Sequence, residues 1–259
     1  GLSVRGHPLI WDEHVPAWVP PTVDATRFRD LSDAYLEAAV HRYEGRISTW
    51  DVVNELIEDD GQPSTAPFFT LRGPDQAERA FALARAQDPH ARLFVNDFAV
   101  GWDNPRSRGL EELVRRWKKA GVPVDGVGLQ AHLKAGTAPS QTTLRHRIQA
   151  FAALGVTVEL TELDVRMAHL DGAKAGRSFA QARAYYDAVA SCVAEPSCDR
   201  VTFWSMTDRH TSWPAQESAA LLDADYAPKP AWRAVRAALQ GRAMPGCDDV
   251  RVPNGRFEE

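Results

Sequence analysis

Ile47-Ser48-Thr49-Trp50-Asp51-Val52-Val53-Asn54-Glu55 runs apolar and β-branched and then breaks on an amide and a carboxylate. The run has the length and composition of a strand. A helical pattern from Thr26 to Tyr43 precedes it, with Phe28, Leu31, Tyr35 and Ala38 on the expected buried face and Gly45 just past its end. A second helical pattern, Pro74 to Gln87, follows; Pro74 suits a first turn and Pro89 stops it. A strand set between two helices is the repeating element of a parallel sheet.

The alternation continues in both directions. Leu2 to Ile10 is a first apolar run, and Leu93 to Asn96 reads as a strand. Leu110, Leu113, Val114 and Trp117 then mark a helix closed by Gly121. Val127 to Ala131 is a strand, and Leu144, Ile148 and Phe151 mark a helix ended by Gly155. Val156 to Leu160 precedes a helix from Phe179 to Val193, and Val201 to Trp204 precedes one from Pro230 to Leu239. Six strand–helix units result. A barrel and an open doubly wound sheet both fit, although no Gly-rich phosphate loop follows the first strand.

Composition narrows the function. The 259 residues carry 30 basic and 35 acidic side chains, a net charge of −5, which argues against a non-specific nucleic-acid binder. The basic run Arg115-Arg116-Trp117-Lys118-Lys119 falls on a helical pattern and reads as a solvated face. No apolar run approaches the ~20 residues of a membrane span. The chain opens on Gly1 rather than Met and reads as a processed product or a piece of a longer one. Of three cysteines, Cys192 and Cys198 are near enough for a small disulfide loop, and Cys247 stands alone.

Polar residues collect where the strands end: His7 and Trp11, Asn54 and Glu55, Asn96 and Asp97, Gln130 and His132, Glu162 and Asp164, and Trp204. Strand C-termini carry the working residues of barrel enzymes. Two carboxylates ending apolar strands, Glu55 and Glu162, suit the general acid and nucleophile of a retaining glycosidase. Trp11, Trp204 and Trp213 offer flat apolar faces to pyranose rings, while Gln130, Asn54 and His7 can bind hydroxyls. Trp117 and Trp232, among eight tryptophans, are expected to be structural.

Arg5-Gly6-His7-Pro8-Leu9-Ile10-Trp11, Trp50 to Glu55, Val95-Asn96-Asp97, Gly128-Leu129-Gln130-Ala131-His132 and Thr161-Glu162-Leu163-Asp164 resemble, in order, the signatures of glycoside hydrolase family 10. Val201 to Asp208 and Pro228-Lys229-Pro230-Ala231 resemble its closing segment. The resemblance implies a (β/α)8 TIM-type barrel over residues 1–240 and an endo-1,4-β-xylanase cleaving xylan with retention, without cofactor or metal. It assigns the acid/base to Glu55 and the nucleophile to Glu162, with His132 hydrogen-bonded to Glu162 and Asp164 orienting the imidazole. Asn54 would hold the 2-hydroxyl at the cleavage point. His7, Trp11 and Gln130 would line the glycone side, capped by Trp204 and Trp213. Cys192 and Cys198 lie where secreted relatives carry a disulfide, so a secreted monomer acting on xylan or xylo-oligosaccharides is expected.

The chain departs from the pattern in places. Two βα units that precede the Arg-Gly-His strand in relatives have no counterpart, so strands three to eight of the barrel are expected, on a fragment. Asp12 stands for a usual His, His14 for a usual Gln, and Phe98-Ala99 for a usual Tyr-Asn. Residues 241–259 read as a linker or tail, and Asn254 to Glu259 faintly resembles the opening strand of carbohydrate-binding modules. Two other readings draw on the same residues: a metal-dependent hydrolase using His7, His132, Glu162 and Asp164 as ligands, and a non-catalytic xylan-binding fragment.

Overall fold

The computed structural model describes residues 3–17, 19, 22–73 and 75–246. The expectations for Leu2, Pro74, Cys247 and the tail from 247 to 259 lie outside the described residues. In chain order the elements are β1 (Arg5–Gly6), α1 (Ala25–Arg42), β2 (Thr49–Asn54), α2 (Pro67–Arg72), α3 (Gln76–Gln87), β3 (Arg92–Asp97), α4 (Pro105–Ala120) and β4 (Gly126–Leu129). They continue with β5 (His132–Lys134), α5 (Gln141–Ala152), β6 (Thr157–Arg166), α6 (Lys174–Val193), β7 (Cys198–Phe203) and α7 (Pro230–Leu239). Six strand–helix units thus run through the described residues, as the sequence predicts.

The chain forms two compact units, residues up to 128 with 150–157, and residues 129–149 with those from 158 onward. In the first, β1 and β3 flank β2 in parallel, with Gly6 beside Trp50 and Asn54 beside Asn96. Close packing explains Gly6: a Cβ there would stand 2.1 Å from the Trp50 ring. Val52, Val53, Leu93, Phe94 and Val95 are fully buried, as parallel strands covered on both faces require. Outside them Phe81 of α3 meets Trp117 of α4 with ring centroids 5.3 Å apart. Burial of each such side chain contributes about 1.5–3 kcal/mol. Trp117 is structural, as expected, and its indole N–H is donated to Glu78 at 2.8 Å. Arg115 on the same helix is exposed and pairs with Glu111 at 2.7 Å, the solvated face foreseen for the basic run.

In the second unit β5 and β7 flank β6 in parallel, His132 standing opposite Asp164 and Leu163 opposite Phe203. α6 packs on α7 and on β7. The Cys192–Cys198 disulfide ties the last turn of α6 to the first residue of β7, across a Cα–Cα distance of 5.0 Å.

Four local expectations change. α1 buries Phe28, Asp33, Leu36 and Val40, whereas Tyr35 is exposed. The buried stripe differs from the periodic expectation because it contains a charge: Asp33 pairs with Arg72 at 2.9 Å and Arg79 at 2.6 Å. The first strand is only Arg5–Gly6, with Ile10 bridging Val53 alone. α2 is an element beyond the expected set, and α3 begins at Gln76 after the N-cap Asp75. β6 runs ten residues, to Arg166, because Glu162 and Asp164 interrupt the apolar pattern yet are buried.

Candidate active site

In the first unit β1 and β2 present the expected acid/base group. β2 sets Asn54 beside Asn96 of β3, and its register shifts between Asp51 and Val53, which interrupts the simple alternation of sides along the strand. Glu55 follows the last strand residue in a left-handed conformation, φ 59°, which side chains with a Cβ rarely adopt. The backbone is held there by two bonds to the next strand: the Glu55 N–H is donated to the Asn96 carbonyl at 2.8 Å, and the Ile57 N–H to Asp97 Oδ2 at 3.2 Å. Two expected site residues reach its half-buried carboxylate. Trp11 Nε1 donates to Oε2 at 3.1 Å and Asn54 Nδ2 to Oε1 at 3.2 Å. Asn54 in turn accepts from Asn96 Nδ2 at 2.7 Å. Trp11 stacks at a tilt on His14, centroids 4.5 Å apart, so the departure at position 14 supports the indole.

His7 is anchored through Asp51, which carries no expected role. Its Nδ1 lies 3.0 Å from Asp51 Oδ2, which also accepts from Arg5 Nε at 2.8 Å. Asp51 is fully buried, and an acidic residue inside an apolar strand was the available signal, since a buried charge persists only when paired. Asn96, Asp97 and Arg106 were likewise unassigned. Burial pushes Asp97 up to about 7, although Arg106 pairs with it at 3.0 Å, and the Glu55 charge adds to the rise. The Arg106 guanidinium also covers Phe98 at 3.8 Å, occupying the ring that departs from the family pattern. Asp12 is raised by burial and by the charges of Glu55 and Glu58.

The second unit holds the expected nucleophile. Glu162, Asp164 and Arg166 fall on alternate residues of β6, from a register shift between Leu160 and Leu163 onward. The Glu162 N–H is donated to the carbonyl of Gln130, whose own side chain is buried. His132 stands between the two carboxylates, Nε2 at 3.3 Å from Glu162 Oε2 and Nδ1 at 3.0 Å from Asp164 Oδ2. Burial alone would lower its pKa, but hydrogen bonds and charge from Asp164 and Glu162 override this and raise it to about 9. The imidazole is therefore a cation at neutral pH.

Two indoles meet that ring edge-on, Trp204 and Trp213, each with centroids 5.7 Å away. Trp204 is 40% exposed and remains a usable platform. Trp213 donates its indole N–H to Asp164 Oδ2, and Arg166 lies 4.1 Å over its ring. The loop carrying these indoles is latched by buried Lys229, which donates to Asp208 Oδ2 at 3.0 Å and to Ser218 Oγ at 3.0 Å. Among the described residues no group of three or more His, Cys, Asp or Glu side chains is placed to hold a metal ion.

Residues 1–238 match the pattern of glycosyl hydrolase family 10. The chain belongs to that family. It is similar to endo-1,4-beta-xylanase 3 of Hypocrea jecorina, 35% identical over 242 residues, 93% of this chain and 65% of that protein. The chain thus spans 65% of the length of this curated relative. Among solved structures it resembles native xylanase 10B from Thermotoga maritima, with TM-score 0.87, 29% identity, and coverage of 93% of this chain and 75% of that one. Xylanase 10B from Thermotoga petrophila RKU-1, solved with xylobiose, gives TM-score 0.87 and 28% identity over 93% of this chain and 74% of that one. The fold is accordingly the family 10 TIM-barrel type, with six βα units among the described residues.

Proposed function

We propose that this family 10 chain is an endo-1,4-β-xylanase that hydrolyses xylan or xylo-oligosaccharides with retention, without metal or cofactor. Glu55 gives its proton to the glycosidic oxygen while a Glu162 oxygen attacks the anomeric carbon. The glycosidic C–O bond breaks, and an ester forms between sugar and Glu162. Glu55 then takes a proton from water, whose oxygen displaces Glu162 and restores the configuration. Asn54 binds the 2-hydroxyl, His7, Trp11 and Gln130 line the glycone side, and Trp204 offers its face to the sugar.

The observation that carries this reading is the difference in partners between the carboxylates. Glu162 is buried against the cationic imidazole of His132, which suits a group that must be ionised when it attacks. Glu55 is half-buried and accepts N–H donors from Trp11 and Asn54, one on each oxygen, which aim the carboxyl group and suit a group that must meet one glycosidic oxygen. The bound xylobiose of the Thermotoga petrophila neighbour supports the substrate class. The Cys192–Cys198 disulfide supports an oxidising, extracellular location, and no described helix is long and apolar enough to cross a membrane.

The test is reducing-sugar release from xylan by the chain beside Glu55→Ala and Glu162→Ala. Loss in both variants, with activity of the parent surviving EDTA, supports the reading. A cooperatively folded parent that binds xylan and releases nothing would make the chain a binding fragment instead.

A further inference from the structure

We infer that Trp213 is a positioning residue for Glu162, acting through Asp164 and His132 by its indole N–H rather than by its ring face. The inference rests on the reading of Glu162 as nucleophile and adds a residue to the group that orients it.

The parallel pairing of β5 with β6 sets His132 opposite Asp164, and the imidazole meets both Glu162 and Asp164, two residues apart on β6. His132 therefore has a carboxylate at each ring nitrogen, both from β6. A ring between two acceptors is fixed only if the acceptors are fixed. Asp164 is the later of the two, and its Oδ2 serves both His132 Nδ1 and Trp213 Nε1. The Trp213 N–H, arriving from the loop after β7, thus sets which way the Asp164 carboxylate turns.

Trp213 is itself held for this task. Arg166, two residues beyond Asp164, lays its guanidinium 4.1 Å over the indole. The Trp213 backbone N–H is donated to Thr211 Oγ1 at 3.2 Å, and Ser212 Oγ accepts from Trp204 Nε1 at 3.1 Å. The indole expected to cap sugar has its N–H committed to Asp164 and its ring beneath a cation. A continuous series of contacts runs from Trp213 through Asp164 and His132 to Glu162.

The test reads the imidazole directly and needs no turnover. In the 15N-labelled chain, the His132 ring is titrated by NMR in the parent and in Trp213→Phe, which keeps an aromatic ring and removes the donor. The midpoint is expected to fall by about one pH unit, because an Asp164 carboxylate released by the indole turns from Nδ1 and the imidazolium loses part of that pairing. An unmoved midpoint would overturn the inference; so would a rise, which would mean that the indole only competes for Asp164. A second measurement uses the unsubstituted chain. The Trp213 indole N–H, assigned by through-space contact with the His132 ring, is expected downfield and moving with the His132 midpoint, and a flat resonance at the free-indole position contradicts the proposal. In xylan kinetics Trp213→Phe is expected to lower kcat about tenfold with KM within about twofold. A raised KM with kcat kept would identify a sugar platform and defeat it. A parent without xylan hydrolysis would end the xylanase reading, while both NMR results still decide the role of Trp213.

Discussion

Trp11 donates its indole N–H to Glu55 Oε2 at 3.1 Å, joining two residues 44 positions apart. The contact gives a residue read as a sugar platform a second task, that of aiming the carboxyl group. Trp11→Phe keeps most of the apolar face and removes the donor. We expect kcat on xylan to fall about tenfold, the rate equivalent of one hydrogen bond of about 1.5 kcal/mol. Steady-state kinetics check this, and an effect confined to KM would return Trp11 to a purely binding role.

The proposed roles of the two carboxylates separate with the leaving group. Glu55→Ala should lose roughly 10²–10⁴-fold on xylan, whose leaving group needs a proton, and far less on an aryl xylobioside whose phenolate leaves unaided. Glu162→Ala should be inactive on both, because no ester can form. Equal losses for Glu55→Ala on the two substrates would contradict its assignment as the acid.

His132 predicts a pH dependence of stability. Its folded pKa of about 9 lies above the ordinary 6.5 because Asp164 and Glu162 outweigh its burial. Its pairing therefore stabilises fully below about 6.5, and that contribution is lost as pH rises through about 9. Urea unfolding of the parent and His132→Asn should differ on the order of 2 kcal/mol at low pH and converge in alkali. A gap that widens with pH would reverse the sign and defeat the argument.

The Cys192–Cys198 bridge closes a loop with sequence separation 6. Loop-closure entropy for so short a loop corresponds to about 2 kcal/mol. Cys192→Ser with Cys198→Ser should lower the unfolding free energy by that amount, and so should reduction of the parent.

Lys229 is buried, and Asp208 accepts from it at 3.0 Å; its burial lowers its pKa against the pull of that carboxylate. Lys229→Met strands the Asp208 charge and should cost about 3–5 kcal/mol, whereas Lys229→Met with Asp208→Leu should recover part of the loss. Thermal unfolding of both variants distinguishes a latch from a surface pair.

Much of this was legible in one dimension. Strand–helix alternation, the six units and the C-terminal stops at Gly121 and Gly155 follow from local periodicity and backbone preference, and the structure keeps them. The buried face of α1 is not legible locally, because Asp33 looks like a surface residue until Arg72 and Arg79, from α2 and α3, arrive to pair with it. The end of β6 is hidden for the same reason: Glu162 and Asp164 look like the start of a loop, yet the strand runs on to Arg166 through a register shift between Leu160 and Leu163.

The sequence by itself determined the family, the order of the elements and the placing of Glu55 just past the end of β2, because each depends on residues near one another in the chain. Only the tertiary structure decided what Glu55 and Glu162 touch. Trp11 on Glu55, Asp51 under His7, His132 between Glu162 and Asp164, and Trp213 on Asp164 all join residues about 30 to 50 positions apart. Strand register and loop approach bring them together. Those are set by the packing of whole elements, which no local pattern encodes.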